Sequence, residues 1–142
     1  MAALDKTKVL IAGSDLFEVT RLESLLSGRD YSVIASVNTG KEAVTGAQWL
    51  RPDLVLMELE ADGEADSILA AEEIGMTITT PVIFFGDRKQ SDALMRDNRI
   101  AAFGFFARSA DEETVLNLAD HVRSLSSEPG EACEWEVEFT AG

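Results

Sequence analysis

The chain has 142 residues, 46% of them hydrophobic, a single cysteine and a formal net charge of −14. That size and content suit one globular domain with its own core and exclude a disordered chain. No apolar run reaches the roughly 18 residues needed to span a bilayer, and the opening MAALDKTK is no secretory signal. The excess of acid, 26 Asp and Glu against 12 Lys and Arg, disfavours direct contact with nucleic acid or an anionic membrane. Cys133 alone can form no internal disulfide, which suits the reducing cytoplasm.

Five short apolar runs of strand length follow along the chain: KVLIA (8–12), YSVIASV (31–37), LVLM (54–57), PVIFF (81–85) and AFGFFA (102–107). Helical spacing fills the gaps. Leu16, Val19, Leu22, Leu25 and Leu26 recur at threes and fours. So do Ala43, Ala47 and Leu50, then Ile68, Ala71 and Ile74, and finally Val115, Leu118, Ala119, Val122 and Leu125. Asp15, Asn38 or Thr39, and Ser109 or Asp111 are placed to cap three of these helices. Alternating strands and helices predict an α/β fold: a doubly wound, five-stranded parallel sheet with helices on both faces. The runs around Leu10, Val55 and Ile83 are apolar throughout and belong in the centre. Tyr31–Val37 partly alternates and reads as an edge.

A domain over 1–127 and an acidic tail or linker over 128–142 are expected. The tail carries Glu128, Glu131, Glu134, Glu136 and Glu138, and the last three alternate with Trp135, Val137 and Phe139. That period of two would suit an extra strand, or a segment leading to a partner or output domain.

In an open parallel sheet, sites form at the carboxyl ends of strands. There the chain offers Gly13, Ser14 and Asp15 after the first run, Glu58 after the third, Gly86 and Asp87 after the fourth, and Arg108 after the fifth. The acids Glu60, Asp62 and Glu64 lack the spacing of a calcium loop. His121 has no second His or Cys with which to build a metal site. Neither G-x-x-x-x-G-K-[ST] nor G-x-G-x-x-G occurs.

Over residues 7–125 the chain resembles the receiver domain of two-component response regulators. KVLIAGSD is similar to the family's first strand and acidic turn, and RPDLVLMELEADGEAD to its phosphoacceptor strand and loop. PVIFFGD is similar to the fourth strand with its switch position, and AAFGFFARSADEETVLNLADHV to the fifth strand and last helix. AAEEIGMTITTPVIFF also resembles receivers attached to sensor kinases or sensory domains. The resemblance implies a flavodoxin-like (βα)5 fold with strand order 2-1-3-4-5.

The family's reactive set is replaced. Where relatives carry two acids that hold Mg2+, this chain has Gly13 and Ser14, with Asp15 one residue late. Glu58 stands at the phosphoacceptor aspartate, Gly86 at the Thr or Ser, and Arg108 at the lysine. Phe105 keeps the aromatic switch position. Phosphoryl transfer to a carboxylate relies on a metal to neutralise developing charge. Glu58 also sets its oxygens about one C–C bond, roughly 1.5 Å, further out than Asp. The expectations are therefore a degenerate or pseudo-receiver of the cytoplasm. It would have no enzymatic activity, no cofactor, Mg2+ binding weak or absent, and a role in phosphorylation-independent protein interaction within two-component or phosphorelay signalling.

Glu58 would either pair with Arg108 or point into solvent at the loop edge. Gly86 would leave room for Phe105 to turn inward. A signalling partner, an attached sensor or output domain, or a second copy would meet the face of the fourth helix, fifth strand and fifth helix, residues 93–97 and 105–122. The alternatives are a receiver that still takes phosphate through an atypical site and a flavodoxin-like binder of a small ligand.

Overall fold

A computed structural model describes residues 6–59, 64–78, 80–87, 104–108 and 110–126. The expected tail (128–142), the 93–97 part of the expected interaction face and Ser109 lie outside the described residues. So do Glu60, Asp62 and the side chain of Glu64.

Five strands form one sheet: β1 (Thr7–Ala12), β2 (Tyr31–Val37), β3 (Leu54–Glu58), β4 (Val82–Gly86) and β5 (Gly104–Ala107). Their order is β2-β1-β3-β4-β5, and every neighbouring pair is parallel. Four described helices connect and flank them: α1 (Leu16–Ser27), α2 (Gly40–Leu50), α3 (Glu64–Thr77) and α4 (Glu112–Ser126).

The three wholly apolar strands take the centre because both of their faces are covered. Leu10, Val55, Met57 and Phe84 pack in one cluster with Ala43 and Ala47 of α2 and Ile68 and Ile74 of α3. Val9, Ile11, Leu56, Ile83 and Phe85 pack on the other face with Val19, Leu22 and Leu26 of α1 and Val115, Ala119 and Val122 of α4. Burying each large aliphatic side chain contributes about 1.5–3 kcal/mol, so alternation would have wasted one face of these strands. Phe85 stacks on Phe106 with centroids 5.4 Å apart, which ties β4 to β5 on the α1–α4 side.

β2 is an edge, as its pattern implies. Its pairing with β1 shifts between Val9 and Leu10, so that Val33 and Ala35 face successive β1 residues and Ile34 is extra. That bulge breaks the alternation of YSVIASV.

The helix ends follow from local chemistry. Asp15 and Thr39 cap α1 and α2 by accepting from the backbone N–H of Glu18 and Glu42. Asp111 does the same for α4 through Thr114 N–H at 2.9 Å. Two residues of the apolar periodicity depart from it. Leu16, first in α1 above the rim of the sheet, is exposed, and Leu50 sits half out of the core where α2 ends in the left-handed residue Arg51.

Candidate functional site

The parallel order delivers the ends of β1, β3, β4 and β5 to one rim, and the residues found there form a single cluster. Glu58 closes β3. Among the described residues it is one of two buried charged side chains, with Glu18, only 5% exposed and not a loop-edge acid in solvent. Its backbone is fixed on both sides. The hydroxyl of buried Ser67 on α3 donates to its carbonyl at 2.8 Å, and Leu59 N–H donates to Phe85 O at 2.8 Å.

The side chain turns back toward the β1–α1 turn. Oε1 accepts from Ser14 N–H at 2.8 Å and from Asp15 N–H at 3.3 Å. These are groups at the start of α1 that no helical carbonyl can satisfy, at the positive end of the helix dipole. Oε2 accepts from Arg108 Nη1 at 2.7 Å. The expected Glu58–Arg108 pair is therefore formed, and both oxygens of the carboxylate are engaged.

Arg108 is anchored by its own backbone, whose N–H donates to Gly86 O at 2.8 Å. Its Nη1 also reaches Asp15 Oδ2 at 2.8 Å, and its Nε donates to Asp87 Oδ1 at 3.4 Å. Asp15 thus has two tasks: Oδ1 caps α1 and Oδ2 holds the guanidinium. One cation stands among three carboxylates. Burial alone would lower the Arg108 pKa, but the hydrogen bond and charge of Glu58, with Asp87 and Asp15, outweigh it and raise the pKa. The guanidinium keeps its charge, as a buried carboxylate beside it requires.

The other expected positions are placed as follows. Gly13 lies against Glu58 at the end of β1, with its N–H donating to Val37 O at 2.9 Å. Gly86 is buried at the end of β4, opposite Ala107. Phe105, opposite Phe84, is half-buried and packs on the α2–α3 side. His121 lies half-buried on α4, with an Nε2 that finds no hydrogen-bond partner among the described residues. Among those residues, no group of three His, Cys, Asp or Glu side chains is spaced to hold a metal ion. The sequence reading missed the two backbone donors to Glu58 and the double duty of Asp15. The available signal was Asp15 itself, an acid at a helix start on the same rim as an arginine.

This architecture is that of known receivers. The signal receiver domain of a modulated diguanylate cyclase from Desulfovibrio desulfuricans G20 superposes with a TM-score of 0.75 at 26% identity, over 86% of this chain and 99% of that one. The chain is a response-regulator receiver domain. Among curated relatives, the transcriptional regulatory protein YdfI of Bacillus subtilis is 28% identical over 114 residues, covering 80% of this receiver and 53% of YdfI. A protein-glutamate methylesterase/protein-glutamine glutaminase of Alkalilimnicola ehrlichii is 34% identical over 96 residues, 63% of the receiver and 24% of the relative. The receiver thus spans about half or less of the length of these relatives. No family model matches the sequence. No described helix is long and apolar enough to cross a membrane.

Proposed function

We propose that this receiver is a protein-interaction module of two-component signalling, held in one state by the Glu58–Arg108 pair and not switched by phosphorylation. The observation that carries this reading is the engagement of both Glu58 oxygens, one by two backbone N–H groups and one by a guanidinium. A nucleophilic oxygen would first have to leave those donors.

The donor set also does not suit a divalent cation. Mg2+ takes octahedral oxygen ligands at close range. Gly13 offers no side chain, and the Asp15 and Glu58 carboxylates already share Nη1 of Arg108. The guanidinium supplies the positive charge that a metal would bring, but from a fixed side chain.

A signalling partner, free or attached, would read the state so fixed. Along the described part of the expected face, the exposed residues Asp111, Glu112, Glu113, Asn117 and Asp120 are polar. Large exposed apolar side chains lie elsewhere. Phe17 is 84% exposed and Leu16 69%, directly after Asp15, whose position the pair fixes. The start of α1 is proposed as a contact beside the expected face; Trp49 and Met76 are exposed to a similar degree on α2 and α3.

X-ray scattering and acyl-phosphate incorporation, with and without Mg2+ and either beryllofluoride or acetyl phosphate, test the reading. The expected result is an unchanged scattering profile and no acyl phosphate. A scattering profile that changes with Mg2+ and beryllofluoride, or a phosphorylated Glu58, sinks it.

A further inference from the structure

We infer that Gly13 is the positioning residue of this pair: the missing side chain at position 13 is the space that the Glu58 carboxylate fills. An ideal Cβ on Gly13 would lie 2.9 Å from Glu58 Oε1, 3.3 Å from Glu58 Cβ and 3.3 Å from Val19 Cγ2. The first distance is shorter than real Cβ contacts allow, so something would have to move. The φ of Gly13 lies outside the left-handed region, so the backbone itself does not call for glycine. The requirement is space.

Which group would move follows from the bonds around it. The turn cannot easily retreat, because Gly13 N–H is bonded to Val37 O at 2.9 Å, immediately after the Ala12–Val37 register pair of β1 and β2. Glu58 is the far end of a flexible side chain and yields first. Rotating it away breaks its bonds to Ser14 N–H, Asp15 N–H and Arg108 together. Positions 13 and 58 therefore share one volume: the longer acid on β3 supplies, from across the sheet rim, a carboxylate where a side chain of the β1–α1 turn would otherwise sit. A substitution at 13 reaches Arg108 through Glu58. The assignment deepens the proposed function, and rests on it where the pair is called a lock, but the coupling itself can be measured alone.

The test introduces Gly13→Ala into the wild type and into Glu58→Ala. It reads the urea midpoint and, by NMR, the solvent exchange of the Arg108 Nη1 protons, which Glu58 accepts. In the wild type, Gly13→Ala is expected to lower the midpoint and speed that exchange by about tenfold or more, as befits two groups in contact. In Glu58→Ala, where Asp15 alone is left on Nη1 and exchange is already faster, the same change should shift it less than about twofold, leaving only the Val19 contact. Equal effects in both backgrounds, or unchanged Arg108 exchange in Gly13→Ala, overturn the assignment. Should Gly13→Ala fail to fold, a folded double variant supports the coupling and an unfolded one overturns it. A response to Mg2+ with beryllofluoride would sink the phosphorylation-independent reading while leaving a measured coupling intact. Absent coupling with no such response does the reverse.

Discussion

Arg108 holds together three segments distant in sequence: the start of α1, the end of β3 and the residue after β4. Removing one partner of a fully buried ion pair costs about 3–5 kcal/mol. Arg108 keeps 27% of its side chain exposed, so solvent screens part of the interaction, and Ser14 and Asp15 N–H still serve Glu58 when the arginine is gone. Arg108→Ala should therefore cost about 2 kcal/mol in urea unfolding, below the buried-pair range. Arg108→Lys should cost roughly half as much. It keeps the charge, but one ammonium cannot present Nη1 to Glu58 and Asp15 while Nε faces Asp87. Wild-type stability in Arg108→Ala would mean that the pair holds nothing.

Between elements, a second polar cluster clasps α4 to the opposite rim of the sheet. The Tyr31 hydroxyl at the start of β2 donates to Asp120 Oδ1 at 2.5 Å, and Arg123 lies over the Tyr31 ring, its guanidinium carbon 5.1 Å from the centroid. Arg123 also donates to Thr7 Oγ1 of β1 at 3.2 Å. Burial first, then the hydrogen bond to Asp120 and its charge, raise the Tyr31 pKa above its ordinary value. A raised folded-state pKa means that this contribution to stability is whole below the unfolded tyrosine pKa of about 10 and is lost as pH climbs beyond it. Tyr31→Phe should lower stability by about 1 kcal/mol at neutral pH. It should also flatten the loss measured in urea melts above about pH 10.

The sheet was legible because buried strands must be apolar on both faces: β1, β3 and β4 read directly from KVLIA, LVLM and PVIFF. Asp15 and Thr39 were legible as caps because few side chains can satisfy a helix start. The Glu58–Arg108 pair was legible as chemistry, two opposite charges at strand ends on one rim of the sheet. The bulge at Ile34 was not, because register depends on the partner strand. Nor was the role of Gly13, because a glycine's contribution to a site is the space it leaves, and no local pattern records which distant side chain enters that space.

Across the whole molecule, a formal charge of −14 opposes compaction. Pairs such as Arg29–Glu112 and Arg21–Glu18 relieve it only locally. Salt screens exposed charges beyond about 10 Å at 0.1 M, so general repulsion should weaken before partly buried contacts do. Raising NaCl from about 0.05 to about 1 M should therefore lift Tm by roughly 4 °C, equivalent to about 1 kcal/mol for a chain of this length. The difference between wild type and Arg108→Ala should change little over that range, because Glu58 is only 5% exposed and ions reach its bond only from the Arg108 side. Thermal melts of both proteins at the two salt concentrations separate the terms. A Tm that falls with salt would mean that surface ion pairs outweigh repulsion. A wild-type advantage that vanished in salt would place the Arg108 interaction in solvent, contrary to the burial of its partner.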